Sequence, residues 1–451
     1  MKYFEDQVSR IKSKLVQAKK VDNKLEVFGA DSHKYKLNPV ITQIELEEFE
    51  SLHNVRLPED FRLFLTELGN GGAGPYYGIY PLKKQYAPSK TGLDCVYHPE
   101  MTDEEWNELY ELDDLEVDGQ LSEWDEKTCR GNLSLGTQGC TYDMSLVIAG
   151  ENKGRVYYEI EDEKPFFVFE SNFLDWYERW LDEIIAGYDT TWFGYRMGGD
   201  ENSLIKAYNL SQFNENKIEA LKGVSRFKTI SNETIDFLIN IINTEDNEVG
   251  REALLLLTQF SYEKSISLLS KKLSSNSEKD ILCATQSIHW YAKKHVNDWV
   301  DKLRIALKNV NEDEVFTFIG YVFANSSYDY GKDIIPFISH ESAKIRSTAA
   351  YILGQLQNKS DYIEQFKELL QDNDTHVLLN TIQALDEVNT SELIPYYENI
   401  LNNFKSNDNY LHTNIRHRAK DMDMKIVCKN SDYKIIPKLA KSFIKRLIGL
   451  K

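Results

Sequence analysis

Cysteine is scarce in this chain. The five present, Cys95, Cys129, Cys140, Cys283 and Cys428, show neither CxxC pairing nor regular spacing, so neither a disulfide framework nor a zinc site is expected. Reduced thiols in a cytosol are the simplest reading. Long apolar runs are also missing. No stretch free of Asp, Glu, Lys and Arg exceeds 15 residues, and the longest, Leu68 to Leu82, is full of Gly and Pro, so no membrane span is expected. The opening MKYFEDQVSRIKSKL scatters charge among its apolar residues and lacks the apolar core of a secretory signal. Phe4, Val8, Ile11 and Leu15 instead predict an amphipathic helix.

Basic charge is in deficit. The net charge of −19 disfavours generic nucleic-acid binding and favours a cationic partner. Its distribution is uneven: residues 415–451 hold eleven Lys and Arg against three Asp, a local +8 that leaves −27 on the rest. From Glu100 to Glu126 there are thirteen Asp and Glu and no Lys or Arg. At 451 residues and 41% apolar composition, the chain is long enough for two or more globular domains.

The segment LPEDFRLFLTELGNGG, Leu57 to Gly72, organises the first half. Pro58 suits a first helical position, and Glu59 and Asp60 suit the positive end of a helix. Phe61, Phe64, Leu65 and Leu68 form one apolar stripe. Gly69, Asn70, Gly71 and Gly72 are expected to end the helix through positive-φ conformations. Upstream, Thr42 and Glu45 have capping-box spacing, with Phe49 and Leu52 on one face of a helix ending near Asn54. An acidic helix, then LP, a short aromatic helix and NGG resembles the opening signature of the SUKH superfamily, named partly after a fungal cell-wall-synthesis regulator.

GPYYGIYPL then reads as a strand-like segment. Glu100 to Glu126 reads as an acidic insertion with a short amphipathic helix, since Thr102 and Glu105 repeat the capping-box spacing ahead of Trp106, Leu109 and Tyr110. Strand character returns in MSLVIAG, GRVYYEIED and PFFVFES, with a turn at Asn152 to Gly154 that predicts an antiparallel hairpin. The string LGTQGCTYDMSLVIAGENKGRVYY again resembles SUKH proteins. Phe173, Trp176, Tyr177, Trp180, Leu181 and Ile184 mark a final apolar helix face, so the resemblance covers roughly Ile41 to Ile185. It implies an α+β domain, mainly antiparallel sheet with flanking helices, over residues 1–198, closed by a Gly-rich junction at Gly187 to Ser203.

Beyond the junction the sequence repeats. Val249, Ala253 and Leu257 align with Ile345, Ala349 and Leu353 at a separation of 96, and with Val377, Thr381 and Leu385 a further 32 along. Looser copies fall at Asp280, Ala284 and Ile288 and at Val315, Ile319 and Phe323, giving five two-helix units between about 231 and 404. Such pairs are too short to bury an apolar face alone and must stack. The half 199–451 resembles HEAT-like repeats, especially in AKIRSTAAYILGQL, which implies an all-α solenoid. At its end, Ile436, Leu439, Ala440, Phe443 and Leu447, bordered by Lys434, Lys438, Lys441, Lys445 and Arg446, predict a basic helix. It suits a terminal cap, an anionic membrane or a nucleic acid.

No set of residues points to catalysis, a metal or a cofactor. GNGGAG, Gly69 to Gly74, follows a helix and lacks the GK[ST] ending of a phosphate loop, so a structural turn is expected. Cys140, with Tyr142, Asp143 and a distant His98, forms no local nucleophile motif, and a buried or partly buried structural cysteine is expected. His289 and the pair His412 and His417 lack complementary ligands at metal spacing.

The acidic insertion remains as the candidate partner-binding surface: Asp103, Glu104, Glu105, Trp106, Glu108, Tyr110, Glu111, Asp113, Asp114 and Trp124. Its carboxylates would steer a basic partner and its aromatic rings would anchor one, although a solvated loop has the same composition. Known bacterial SUKH proteins are typically immunity proteins. The resemblance therefore implies a non-catalytic cytoplasmic protein that neutralises a cognate toxin with a basic surface, with no small-molecule substrate. An intracellular scaffold or regulator acting through the repeats is the alternative.

Overall fold

A computed structural model describes residues 2–82, 93–111, 127–160, 163–404, 410–429 and 432–438. The chain forms two compact units, Met1–Asp236 and Phe237–Lys451.

In the first unit, helix α1 (Lys2–Val21) buries Val8, Ile11 and Ala18 and packs against α6 (Phe173–Ala186). Arg10 and Lys14 close the edge of that contact, each 2.8 Å from Glu178. After the short α2 (Ala30–His33), helix α3 (Gln43–Leu52) starts at the expected capping box: the Thr42 side chain accepts from the Glu45 N–H and Glu45 accepts from the Thr42 N–H.

Helix α4 (Glu59–Leu63) begins after Pro58, which caps it with extended ψ and is not its first helical residue. Phe64–Leu68 then widens into a π-helical turn where a regular α-helix was predicted. The Gly69 N–H bonds back to the Phe64 carbonyl, and the Leu65 carbonyl accepts from Ile41. The predicted stripe of Phe61, Phe64, Leu65 and Leu68 is buried. Gly69 is extended at φ 175°, and the left-handed turn begins only at Gly71 and Gly72. GPYYGIYPL forms no strand: Gly72 makes single antiparallel bridges to Leu37 and Ile79.

Four antiparallel strands follow in order β1 (Asn132–Gly139), β2 (Tyr142–Val147), β3 (Val156–Ile160) and β4 (Glu163–Phe167). The three predicted strand segments are β2 to β4; β1 is a strand the sequence did not single out, because LSLGTQG carries few β-branched residues. Alternation sorts the two faces. Leu133, Leu135, Met144, Leu146, Val156 and Tyr158 join the main core with α6, while Val147 and Tyr157 face a small cluster with Tyr97 and Met101. The predicted face of α6 is buried throughout, and its Trp176 indole donates to the Tyr158 hydroxyl at 3.0 Å.

Helices α7 (Glu201–Leu210) and α8 (Asn214–Val224) belong to this first unit, so it extends past the expected boundary at 198/199. The reason is Arg226, which pairs with Glu183 on α6 and donates to the Gly199 carbonyl at 2.9 Å. Helix α9 (Asn232–Thr244) carries the chain across the division.

The second unit is a long helical, repeat-like region. Its helices are α10 (Glu248–Phe260), α11 (Tyr262–Leu273), α12 (Glu278–Tyr291), α13 (Val296–Leu307), α14 (Asp313–Ala324), α15 (Gly331–Ile334), α16 (Ala343–Gly354), α17 (Ile363–Leu369), α18 (Thr375–Ala384), α19 (Ile394–Asn403) and α20 (Tyr410–Asp421). Helices α10, α12, α14, α16, α18 and α20 pack each on the next. The aligned positions Val249, Ala253, Leu257, Ile345, Ala349, Leu353, Val377, Thr381 and Leu385 are all fully buried. Within this unit, polar side chains also tie successive helices and their flanking turns together. Glu278 accepts from the Glu312 N–H at 2.8 Å, Asp313 from the Ser342 hydroxyl at 2.9 Å and Asp329 from the Tyr362 hydroxyl at 2.9 Å.

The chain's described end departs from expectation. Lys434 and Ile436 lie on a strand, β6 (Asp432–Pro437), paired with β5 (Met424–Lys429), where a helix was predicted. Burial alternates there, with Ile435 inward, and its N–H donates to Glu398 at 2.8 Å. Leu439, Ala440, Phe443 and Leu447 lie outside the described residues.

Candidate partner-binding surface

Helix α5 (Asp103–Tyr110) stands where the acidic insertion predicted a helix, and the second capping box is formed. The Thr102 hydroxyl accepts from the Glu105 N–H at 3.2 Å, and the Glu105 carboxylate accepts from the Thr102 N–H at 2.8 Å. That backbone hydrogen bond holds the Glu105 carboxyl below its ordinary range. Asp103, Glu104 and Glu105 occupy the first turn, where the helix dipole favours negative charge.

The helix has two faces. Trp106 and Leu109 are partly buried against Tyr97, Met101, Val147 and Tyr157, on the side of the sheet away from the main core. Asp103, Glu104, Glu105, Glu108, Tyr110 and Glu111 are exposed. Trp106 therefore fixes the helix to the sheet rather than standing out as a free anchor, while Tyr110, 38% exposed, leans on it with ring centroids 5.9 Å apart. The pairings divide the carboxylates further. Asp103 lies 2.5 Å from Lys164 at the start of β4, and Glu105 is held in the cap. Glu104, Glu108 and Glu111 project from the exposed side. Asp113, Asp114 and Trp124 lie outside the described residues.

A cavity of about 520 Å³ adjoins this surface, with Asp94, His98, Glu100 and Glu151 on its walls. His98 bridges toward the helix, 3.8 Å from Glu105. Asp94 and Glu151 extend the negative surface beyond the insertion. Sequence reasoning missed them, because each is a single acid in a loop and only the fold brings the two around one cavity with His98. Residues 1–236 carry 44 acidic against 26 basic side chains, which places −18 of the total −19 in the first unit.

The segment that organised the sequence is, by contrast, a packing joint. Glu50 of α3 accepts the Leu57 N–H at 2.8 Å and pairs with Arg62 of α4, both side chains being buried. Asp60, expected to serve its own helix end, is buried and accepts the Leu174 N–H of α6 at 3.1 Å; burial raises its pKa. Tyr177 of α6 donates to the Ala73 carbonyl at 2.7 Å. The signature thus ties α3, α4, the glycine turn and α6 into one core. Residues 40–179 match the family model described as SMI1 / KNR4 family (SUKH-1).

This segment is a SUKH-1 domain. The match opens just before α3 and closes within α6, so it spans the packing joint and the whole sheet. No curated protein matches the chain. The acidic helix α5 lies within the SUKH-1 domain, between the glycine turn and β1.

The remaining sequence candidates separate clearly. Gly72, at φ 102°, would place a Cβ 2.5 Å from the Lys36 carbonyl oxygen, which gives the GNGGAG turn a structural cause. Cys140 sits in the β1–β2 turn at φ 51° and is exposed, not buried as expected, because the hairpin turn carries it outward. His412 is buried and bonded to the Phe404 carbonyl, and His289 packs on Phe318 and Tyr321. Among the described residues no group of three or more His, Cys, Asp or Glu is placed to hold a metal, and no helix is long and apolar enough to cross a membrane.

Proposed function

We propose that this chain is a non-catalytic cytoplasmic immunity protein that binds and neutralises a cognate bacterial toxin with a basic surface. The observation that carries the reading is an exposed acidic helix, α5, mounted on a SUKH-1 domain, a family whose bacterial members often act as immunity proteins. Glu104, Glu108 and Glu111 supply the field that steers a cationic partner, and Tyr110 offers a contact of the kind that anchors interfaces. A nuclease fits this chemistry, because its active site is built to hold phosphates. The second unit is read as a HEAT-like solenoid, whose stacked first helices offer an extended further surface.

The test is growth of a naive host expressing the product of the adjacent upstream gene, with and without this chain. Arrest by that product alone and recovery on co-expression support immunity. Toxicity that persists in the presence of this chain counts against it. The alternative, a scaffold acting through the repeats, draws on one observation: Trp290, Phe318, Tyr321 and Tyr351 form a continuous, partly exposed aromatic ladder across α12, α14 and α16. A harmless neighbour together with several host partners bound by the helical unit would favour it.

A further inference from the structure

The hairpin of β5 and β6 presents one edge to the second unit and leaves the other open. β6 lies along α19: the Tyr433 carbonyl accepts from the Asn402 amide at 3.1 Å, the Tyr433 N–H donates to the same side chain at 2.8 Å, and the Ile435 N–H donates to Glu398. Residues of an antiparallel pair bond to the partner strand at every second position, so Tyr433 and Ile435 turn away from β5 while Lys434 and Ile436 turn toward it. Their partners Val427 and Lys425 therefore bond to β6, and Met424, Ile426 and Cys428 point their N–H and C=O groups outward.

Two further observations fix the same parity. The Lys438 N–H donates to the Asp423 carbonyl at 3.1 Å, one step beyond the pair of Met424 and Pro437, and Pro437 has no N–H to give β5. Among the described residues, no backbone group from outside the hairpin bonds to Met424, Ile426 or Cys428. Cys428 is exposed and the other two are partly exposed, so this edge faces solvent.

The side chains sort to two faces. Met424 and Ile426 lie against the core of the unit with Ile435, and Lys425, Val427 and Lys429 stand on the opposite face. Lys434 and Lys438 have carboxylates, Glu398 at 3.0 Å and Asp423 at 3.6 Å. Among the described residues, Lys425 and Lys429 have none, and both are exposed.

An open edge of this kind is a template for another strand. A second copy of β5 suits it poorly, because antiparallel pairing centred on Val427 sets Lys425 of each copy opposite Lys429 of the other. We infer that β5 is a strand-addition site for an extended acidic segment of a partner protein, with carboxylates at positions i and i+4 opposite the two lysines and an apolar residue between them opposite Val427. The main chain of that segment bonds to Ile426 and Cys428, and its carboxylates supply the charge that Lys425 and Lys429 lack. The site lies wholly in the second unit, and the inference does not depend on toxin neutralisation.

The test is fluorescence anisotropy of the full chain with an N-terminally labelled peptide, Thr-Glu-Thr-Val-Thr-Glu-Thr-amide, together with hydrogen exchange. Saturable 1:1 binding and slowed exchange of the Ile426 and Cys428 amides are expected. Replacing both Glu by Lys, or N-methylating the two Thr that flank Val, should abolish both signals. Cys428→Pro removes one outward N–H while every bond to β6 stays in place, so it should weaken binding about three-fold or more without lowering the melting temperature. Lys425→Glu combined with Lys429→Glu should weaken binding about ten-fold or more at low salt. The inference is overturned if the Glu peptide gives no saturable binding at millimolar concentration, if the Lys or N-methylated peptide binds as tightly, or if Cys428→Pro keeps the wild-type affinity. It is also overturned if a thymidine oligonucleotide binds this face where the Glu peptide does not, which would assign the lysines to nucleic acid.

Discussion

Arg226, just after α8, and Glu183, on α6, form an ion pair in which the side chains are only 2% and 3% exposed. Removing one member of such a pair leaves a charge buried without compensation. Arg226→Ala should therefore destabilise the first unit by about 3–5 kcal/mol, toward the lower end because Arg179 still reaches Glu183. Urea unfolding reads this directly. A fragment ending at residue 198 should melt below one ending at residue 236 for the same reason, and equal melting temperatures would contradict it.

His33 gives the first unit an acid-sensitive point. Its Nδ1 accepts the Tyr35 N–H at 3.0 Å and its ring packs edge-on to Trp180, while burial pushes its pKa from 6.5 down to about 4. The unfolded chain therefore takes up the proton before the folded one does. Stability should be full above pH 6.5 and fall as pH drops toward 4, by up to roughly 3 kcal/mol from this residue. The urea midpoint measured across that window should slope with pH in the wild type, and His33→Gln should flatten that part of the profile.

The exposed carboxylates of α5 divide by role. Glu105 holds the capping box, so replacing it would confuse loss of charge with loss of the helix end. Glu104, Glu108 and Glu111 carry no such duty, and changing all three to Lys should slow association with a basic partner about ten-fold or more at low salt, with the difference shrinking as salt rises. Stopped-flow association of the upstream gene product would show it. Unchanged rates would move the contact surface away from α5.

At Gly72, any side chain meets both an unfavourable φ and the Lys36 carbonyl. Gly72→Ala should cost more than about 1 kcal/mol. Thermal melting provides the measurement, with the domain still folded because the surrounding core is unchanged.

In the second unit, Gly320 on α14 lies against Ile352 on α16, so close that an added Cβ would fall 2.0 Å from its Cδ1. Gly320→Val should destabilise this contact by about 1–3 kcal/mol through overpacking. Faster hydrogen exchange in α14 and α16 would locate the loss, whereas a change confined to α20 would contradict this packing.

Much of the core was legible as pattern. The stripe of α4 and the π-helical turn after it, the face of α6 and the 96- and 32-residue spacings all name residues that are buried, because a helix that must cover a core repeats its apolar side chains at its own period. The two capping boxes were legible for a similar reason: the N-cap and its third neighbour interact locally. The start of the predicted terminal helix, Lys434 to Ile436, was misread because Ile436 and its basic neighbours suit a helical face as well as a hairpin, and pairing with β5 decides between them. β1 escaped notice because pairing with β2 compensates for weak intrinsic strand preference.

By itself the sequence determined what depends on near neighbours along the chain: the caps, the apolar faces, the repeat spacing, the acidic character of the insertion and the signature of the SUKH-1 domain. The tertiary structure decided everything that depends on distant partners. It gave the Leu174 N–H of α6 an acceptor in Asp60, drew Arg226 onto Glu183 across 43 residues, and set Asp94 and Glu151 around one cavity with His98. Charge and hydrogen bonding act through space, and only the fold fixes which distant side chains share it.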